Sequence, residues 1–271
     1  MTIKQLLTQH YKSNLPQQEI DDLLALALHK KVEYLYKHPE KKLALSTIRA
    51  FKKLLNLRLQ NWPMAYLRGY QEFYGLKFLV NKNTLIPRPD SELIIDASLK
   101  FLKNRKEAKV LDVGTGSGCL IISLAKKFNT ANYFASDISK QALKIARTNA
   151  RKNNVHINFI YSDLLNNIPE QKFDLIIANL PYLTPQQMKE PSIKKEPRPA
   201  LLAGSDGLDY YQKLLSQISK FLNKEFLVLL EIDPEQTKKI QDIIKKYLPK
   251  SKIKIIPDLA RQNRLIKITQ K

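Results

Sequence analysis

A glycine-rich turn stands between an apolar run and a helical segment of the chain. The sequence LDVGTGSGCL (111–120) predicts a strand, a turn and then a helix. Alternating glycines let a ligand approach the main chain, and the first turn of a helix offers free N–H groups. Because the chain has only 7 glycines, their concentration here indicates a binding loop. The residues expected to line it are Gly114, Thr115, Gly116, Ser117 and Gly118.

Acidic residues around this loop indicate the charge of its ligand. Asp112 precedes the first glycine and would repel a pyrophosphate, but it suits an ammonium beside a sulfonium. Asp137 ends the next strand, where related folds place an acid on ribose hydroxyls, and Asp163 follows the third strand, within reach of an adenine amino group. Each acid alone could cap a helix. Three acids at successive strand ends predict an S-adenosylmethionine site.

The segment IIANLPYLTP (176–185) carries a second set of groups at the end of a predicted strand. Asn179 offers an acceptor and a donor on one side chain. Pro181 holds Leu180 extended, which aims the Leu180 carbonyl outward, and Tyr182 adds an aromatic face. The two acceptors can bind the hydrogens of a planar –NH2 group while the Tyr182 ring stacks on its plane. This arrangement directs the nitrogen lone pair at a methyl carbon, and the reaction then requires no general base. The alternative is that this segment has no binding role and is simply a proline-containing turn after a buried strand.

The first part of the chain predicts a small helical domain. Apolar residues recur at helical spacing in 2–12, 17–37 and 42–59. We expect this domain to occupy residues 1–70. A connector, 71–85, follows it, in which FYGLKFLVN predicts two short strands that turn at Gly75.

From residue 86 to residue 271 the pattern changes to alternating strands and helices. Apolar strands interleaved with helices predict an α/β domain with a mostly parallel sheet of seven strands, covered on both faces. The predicted strands are 109–113, 132–137, 157–160, 173–179, 226–232, 252–256 and 264–269, and the predicted helices between them are 119–128, 139–153, 206–223 and 235–247.

Composition narrows the class of protein. No apolar run is long enough to span a bilayer, and the N-terminus lacks the apolar stretch of a signal peptide. With a single cysteine, Cys119, we expect a cytoplasmic protein, and the 4 scattered histidines give no metal-ligand spacing. The net charge of +21 fits either an anionic partner or a general abundance of lysine.

Several motifs together resemble the PrmC/HemK protein-(glutamine-N5) methyltransferases, which modify the glutamine of the Gly-Gly-Gln loop in bacterial class-1 release factors. The resemblance covers nearly the full length, and IPRPDSE with EPRPAL is specific to this group. The matching segments are FYGLKFLVN (73–81), IPRPDSELI (86–94), DVGTGSG (112–118), SDIS (136–139), SDLL (162–165), NLPY (179–182), EPRPALLAGSDGLDYY (196–211) and LLEID (229–233).

The resemblance implies a class I Rossmann-like methyltransferase domain, a hairpin connector and an N-terminal helical domain that contacts the release factor. It implies that residues 114–118 and Asp137 bind the cofactor, that Leu164 borders the adenine, and that Asn179 with the residues after it binds the glutamine amide. Two positions depart from the family pattern. Leu180 replaces the first proline of Asn-Pro-Pro-Tyr, which predicts a less rigid loop, and Asp233 replaces a glycine.

Three other functions compete with this one. An adenine-N6 methyltransferase on DNA or RNA shares the Asn-x-Pro-Tyr chemistry and would explain the net charge. A glutamine methyltransferase of a ribosomal protein is a close relative, distinguished mainly by its N-terminal domain. A basic RNA-binding scaffold would be expected to lose Asp112 and Asp137, and both are present. The sequence favours a monomer that methylates release factors and forms no stable complex with nucleic acid or membrane.

Overall fold

A computed structural model describes residues 1–270, and their contacts divide the chain into two compact units. The first unit is Met1–Gly69, and the second begins at Tyr70. None of the helices that these residues form has the length and apolar character needed to cross a bilayer.

The first unit is helical and has its own apolar core. The predicted helix over 17–37 is interrupted at His29, whose φ of 54° lies in the left-handed region and ends α2. Ile3, Leu23 and Phe51 are fully buried in the core, so α1, α2 and α4 each contribute to it. The helices are α1 (Ile3–His10), α2 (Gln17–Leu28), α3 (Glu33–Lys37), α4 (Leu45–Leu59) and α5 (Met64–Arg68).

The second unit is an α/β structure preceded by a hairpin. Phe73 and Phe78 of the hairpin are buried in the same cluster as Val110 and Leu120, so the hairpin packs within this unit. Its elements are β1 (Tyr70–Phe73), β2 (Leu76–Leu79), α6 (Glu92–Leu102), β3 (Lys109–Val113), α7 (Cys119–Lys127), β4 (Asn132–Asp137), α8 (Lys140–Lys152), β5 (Asn158–Tyr161), β6 (Phe173–Ala178), α9 (Asp209–Ile218), β7 (Leu222–Glu231), α10 (Thr237–Tyr247), β8 (Ser251–Pro257) and β9 (Asn263–Gln270).

The large sheet has the strand order β5-β4-β3-β6-β7-β9-β8, and only β9 runs against its neighbours. The predicted α/β fold with a mostly parallel seven-stranded sheet is confirmed. Successive strands are added on one side of β3 up to β5 and on its other side from β6 onward, so the direction of the strand order reverses between β3 and β6. There Val113 pairs with Ala178. The loops that begin at Gly114 and Asn179 therefore start side by side at the carboxyl edge, where open α/β sheets bind ligands.

Several element boundaries differ from the sequence-based predictions. The hairpin starts at Tyr70 rather than at residue 73. Strand β7 starts at Leu222, inside the predicted helix 206–223, because Leu222 pairs with Phe173 of β6. Helix α6 was not predicted, although four of its residues are buried.

A buried asparagine ties the hairpin to the glycine-rich turn. Asn149 of α8 is fully buried; its Oδ1 accepts from the Leu79 N–H at 2.8 Å. Its Nδ2 donates to the carbonyls of Leu79 and Ser117 at 3.0 and 2.8 Å. One side chain thus satisfies the hydrogen-bonding capacity of three main-chain groups and holds the hairpin and the glycine-rich turn together.

Candidate active site

The three glycines of the turn all adopt left-handed backbone conformations, with φ of 75°, 56° and 81° at Gly114, Gly116 and Gly118. A Cβ atom at Gly118 would lie 2.7 Å from Ile122 Cδ1 of α7 and 3.2 Å from Ala146 Cβ of α8, so this glycine permits the close approach of α8 to the start of α7. A side chain at Gly116 would point into open space. Gly116 also lines the main cavity at the carboxyl edge of the sheet, where the missing side chain leaves its main chain accessible to a ligand.

Asp112 is a buried carboxylate with one unsatisfied oxygen. Its Oδ2 accepts from the Thr115 hydroxyl at 2.6 Å, while its Oδ1 is buried without a hydrogen-bond partner. Burial raises the pKa of Asp112 to about 7, against the opposing effect of the Thr115 hydrogen bond. A cationic group beside Oδ1 would compensate this burial.

Asp137 supports the turn as well as facing the cavity. Its Oδ2 accepts from the Gly116 N–H and its Oδ1 from the Ser139 N–H, both at 2.8 Å. Burial raises the pKa of this carboxyl, and the two main-chain donors oppose the rise. Each oxygen keeps a lone pair for a further donor, so binding of a ligand hydroxyl is compatible with this structural role.

A cavity of about 410 Å³ lies over the carboxyl ends of β3, β4 and β6, a volume that suits a small-molecule ligand. Asp163 is exposed at its rim, and Leu164 is buried with a φ of 48°. Asp112, Gly118 and Tyr182 lie outside the lining. The predicted site residues that do line it are Gly114, Thr115, Gly116, Ser117, Asp137, Asp163, Leu164, Asn179, Leu180 and Pro181.

The Asn179–Tyr182 loop packs directly on the glycine turn. A side chain at Gly114 would lie 2.8 Å from Leu180 Cδ2, so only glycine leaves room for this leucine. The Leu180 N–H donates to the Tyr211 hydroxyl at 3.2 Å, and that hydroxyl donates to the main-chain carbonyl of Glu231. Gln236 donates to the Tyr182 carbonyl at 2.8 Å.

Two acceptors of this loop remain available. Asn179 donates through Nδ2 to the Ser91 hydroxyl at 3.0 Å. Within residues 1–270, no donor occupies Asn179 Oδ1 or the Leu180 carbonyl oxygen. Both acceptors are therefore free to receive the hydrogens of a bound –NH2 group.

A second, smaller cavity of about 170 Å³ adjoins the first. Asn179 and Leu180 line both cavities, and Tyr182 lines the smaller one. The loop thus stands between two spaces, one of a size for a cofactor and one of a size for a side chain.

An ion pair that the sequence analysis did not assign joins two distant motifs beside both cavities. Glu196 of EPRPAL is buried, pairs with Arg88 of IPRPDSE and accepts from the Ile86 N–H at 3.0 Å. Arg88 lines both cavities. The sequence analysis used IPRPDSE and EPRPAL only as markers of the family. Their prolines were the one local signal that these segments form rigid loops near a site.

Comparison with known proteins gives the family. Residues 2–69 match the family described as PrmC N-terminal domain, and residues 92–196 match the methyltransferase small domain. A release factor glutamine methyltransferase from Koribacter versatilis is 34% identical over 259 residues, which cover 93% of this chain and 90% of that protein. The chain belongs to the release factor glutamine methyltransferase family. The sequence-based predictions of this family and of S-adenosylmethionine as its cofactor are confirmed.

Two further similar proteins show how much of a longer relative this chain covers and which solved structure shares its fold. A bifunctional methyltransferase from Rickettsia bellii is 35% identical over 294 residues, covering 96% of this chain and 52% of that protein. The chain therefore spans about half the length of the first curated relatives that it matches. A 16S rRNA methyltransferase from T. thermophilus, solved with AdoMet and guanosine, shares the fold, with a TM-score of 0.55, 16% identity and coverage of 74% and 50% of the two chains.

The family departure at Asp233 has a structural role in this chain. Its φ of −72° is ordinary, so the turn needs no glycine. Asp233 accepts from Gln187 Nε2 at 3.0 Å, and Gln187 Oε1 accepts from the Thr184 N–H at 2.9 Å. Asp233 thereby ties the segment after Tyr182 to the end of β7. The Leu180 departure is likewise anchored, because Leu180 is buried and hydrogen-bonded to Tyr211.

Asp137→Ala is expected to weaken S-adenosylmethionine binding by roughly 10- to 100-fold, because a charge-assisted acceptor is worth about 1.5–3 kcal/mol. Isothermal calorimetry measures the affinity. Ser139→Ala is the matched control: it removes the hydroxyl that accepts from the Ala142 N–H, but it leaves the carboxylate in place. Equal affinities of the Asp137 variant and the unmodified protein, with the fold intact, would contradict the ribose assignment.

Proposed function

We propose that this protein transfers a methyl group from S-adenosylmethionine to the side-chain amide nitrogen (N5) of the glutamine in the Gly-Gly-Gln motif of class-1 peptide chain release factors. The observation that carries the proposal is that Asn179 and Leu180 line both cavities. A methyl donor in the larger cavity and a glutamine side chain in the smaller one would meet at the free acceptors of this loop.

We assign the larger cavity to the cofactor, which supplies an electrophilic methyl group on a positively charged sulfur. Asp112 Oδ1, the unsatisfied buried oxygen, would compensate the ammonium of its methionine part. Asp137 would accept from the ribose hydroxyls, while Leu164 and Asp163 would border the adenine. The main chain of residues 114–118 would lie along the ligand.

We assign Asn179–Tyr182 to the target amide. An amide nitrogen attacks poorly because its lone pair is delocalised. Asn179 Oδ1 and the Leu180 carbonyl would accept its two hydrogens, which fixes the plane of the –NH2 group and directs the lone pair. The Tyr182 ring would cover that plane, and Pro181 would hold the Leu180 carbonyl outward. The residues thus act by orientation, and the surplus proton of the product leaves to solvent.

We assign residues 1–70 to recognition of the release factor away from its Gly-Gly-Gln loop. A loop that protrudes from an intact factor can enter a narrow site without unfolding. The net charge of +21 would attract an acidic factor over long distances, which makes association sensitive to salt. We place the reaction in the cytoplasm, with the enzyme acting as a monomer and without a stable nucleic-acid complex.

Mass spectrometry of a release factor after incubation with enzyme and S-adenosylmethionine tests the proposal. We expect a gain of one methyl group on the Gly-Gly-Gln glutamine, and no gain in a factor whose glutamine is replaced by asparagine. A free Gly-Gly-Gln peptide should be a much poorer substrate, because it lacks the contacts away from the loop. Methylation of DNA or RNA adenine, or of a ribosomal protein, without methylation of the factor would contradict the proposal.

A further inference from the structure

Two buried side chains bridge the Asn179–Tyr182 loop to the end of strand β7. In the sheet, β6 and β7 pair directly as far as Ala178 and Leu230. Beyond this pair, side chains join the two segments. The bridging residues are Tyr211 of α9 and Gln236, the residue that precedes α10.

Tyr211 forms the first bridge. Its side chain is fully buried, and its hydroxyl accepts from the Leu180 N–H at 3.2 Å. The same hydroxyl donates to the main-chain carbonyl of Glu231. Because a hydroxyl can accept and donate at once, this side chain links a main-chain donor of the loop to a main-chain acceptor of β7.

Gln236 forms the second bridge and is only 5% exposed. Its Nε2 donates to the carbonyls of Tyr182 and Asp206 at 2.8 and 3.1 Å. Its Oε1 accepts from the Asp233 N–H at 3.1 Å. All three partners are main-chain groups, so they fix the direction of the side-chain amide. A Cβ atom at Gly207 would overlap both Gln236 Nε2 and the Tyr182 carbonyl, so glycine leaves room for this bridge.

We infer that Tyr211 and Gln236 are positioning residues that hold the Leu180 carbonyl in place as an acceptor for the target amide; this inference rests on the proposed function. The first bridge holds the N–H that precedes this carbonyl, and the second holds the Tyr182 carbonyl that follows it. Pro181, between them, has a fixed φ. Neither Tyr211 nor Gln236 lines either cavity, so both act through the loop.

The leucine does not supply this restraint by itself. The proline that follows it restricts Leu180 to extended conformations but leaves its φ a broad range. With the peptide before Leu180 held by Tyr211 and the peptide after Tyr182 held by Gln236, that φ cannot change without breaking a buried hydrogen bond. The two bridges thus restrain Leu180 as a pyrrolidine ring would restrain a proline at this position.

The first experiment compares Tyr211→Phe with Tyr133→Phe. Tyr133 of β4 is also buried, and its hydroxyl donates to the main-chain carbonyl of Phe128, in a different hydrophobic cluster. At saturating cofactor, we expect Tyr211→Phe to lower kcat by about 10- to 100-fold, because a misplaced acceptor orients the target amide poorly. The KM for the factor and the cofactor affinity should stay within roughly 2-fold. Tyr133→Phe should keep the kcat of the unmodified enzyme, and an equally unchanged kcat in Tyr211→Phe would overturn the inference.

A double-mutant cycle isolates the bond between Tyr211 and Leu180. Leu180→Pro removes the N–H that the Tyr211 hydroxyl accepts, and its ring fixes φ instead. Adding Tyr211→Phe to Leu180→Pro should therefore lower kcat by less than roughly 2-fold. The full loss in both backgrounds would overturn the inference, because the hydroxyl would then act by a route other than the Leu180 N–H.

The second bridge is tested by Gln236→Met, which keeps the length of the side chain but removes its hydrogen bonds. We expect kcat to fall by about 10- to 100-fold, because the Tyr182 carbonyl is released. Gln217→Met is the matched control: it removes a glutamine of α9 whose Nε2 donates to Asn166 at 3.0 Å, and it should keep normal turnover. Normal turnover of Gln236→Met would overturn the role of this bridge.

A last measurement needs no methyl acceptor. The main-chain N–H signal of Leu180, assigned by its absence in Leu180→Pro, should be protected from hydrogen exchange in the unmodified protein and in Tyr133→Phe. We expect exchange at least about 10-fold faster in Tyr211→Phe, and unchanged protection would overturn the inference. Failure of the unmodified enzyme to methylate the factor, with protection as expected, would contradict the proposed function and leave the bridge supported.

Discussion

Replacing Asn179 with alanine is expected to lower kcat by about 10²–10³-fold, the usual loss when one preorganised hydrogen bond to the reacting group is removed. The variant retains the Leu180 carbonyl but loses the Oδ1 acceptor, so the target amide is held at one hydrogen only. Cofactor affinity should change by less than roughly 3-fold, because Asp112 and Asp137 are untouched. Steady-state kinetics with intact release factor and calorimetry with S-adenosylmethionine measure the two quantities.

Asn167→Ala is the matched control for this variant. Asn167 is exposed in the segment after β5, and its main-chain N–H, which alanine keeps, donates to Ser162. The control should retain the turnover of the unmodified enzyme. Normal turnover of Asn179→Ala would refute the proposed orientation of the target amide.

The parts of the site that the sequence predicted are those formed by short segments. The run LDVGTGSGCL specifies strand β3, the turn and helix α7 by local pattern alone, and Gly114, Gly116 and Gly118 all adopt positive φ. The glycine turn and Asn179 are neighbours because β3 and β6, the strands that precede them, are adjacent in the sheet. The structure places these loops in contact through Leu180.

The parts that the sequence did not predict depend on contacts between distant residues. Arg88 and Glu196 are 108 positions apart, and no local periodicity relates them. The start of β7 at Leu222 depends on pairing with Phe173 of β6, while the local apolar spacing favours a continued helix.

S-adenosylmethionine affinity is expected to fall as the pH decreases below about 7, by about 10-fold for each pH unit and so up to about 100-fold between pH 7 and pH 5. Burial raises the pKa of Asp112 to about 7 in the free protein, so its carboxyl takes up a proton as the pH falls through that value. A neutral carboxyl does not compensate the ammonium of the ligand. Binding must therefore displace the proton, and each further unit of acidity makes this displacement less favourable.

Calorimetry near pH 6 in buffers of different ionisation enthalpy counts the protons released on binding, and we expect nearly one. The pKa of Asp137 is also raised, so protonation of that group acts in the same direction. Asp112→Asn separates the two acids, because asparagine can still accept from Thr115 but carries no charge. Its affinity should be lower than that of the unmodified protein at pH 7 and nearly constant down to pH 6. Binding without proton release in the unmodified protein would show that Asp112 does not meet the ammonium.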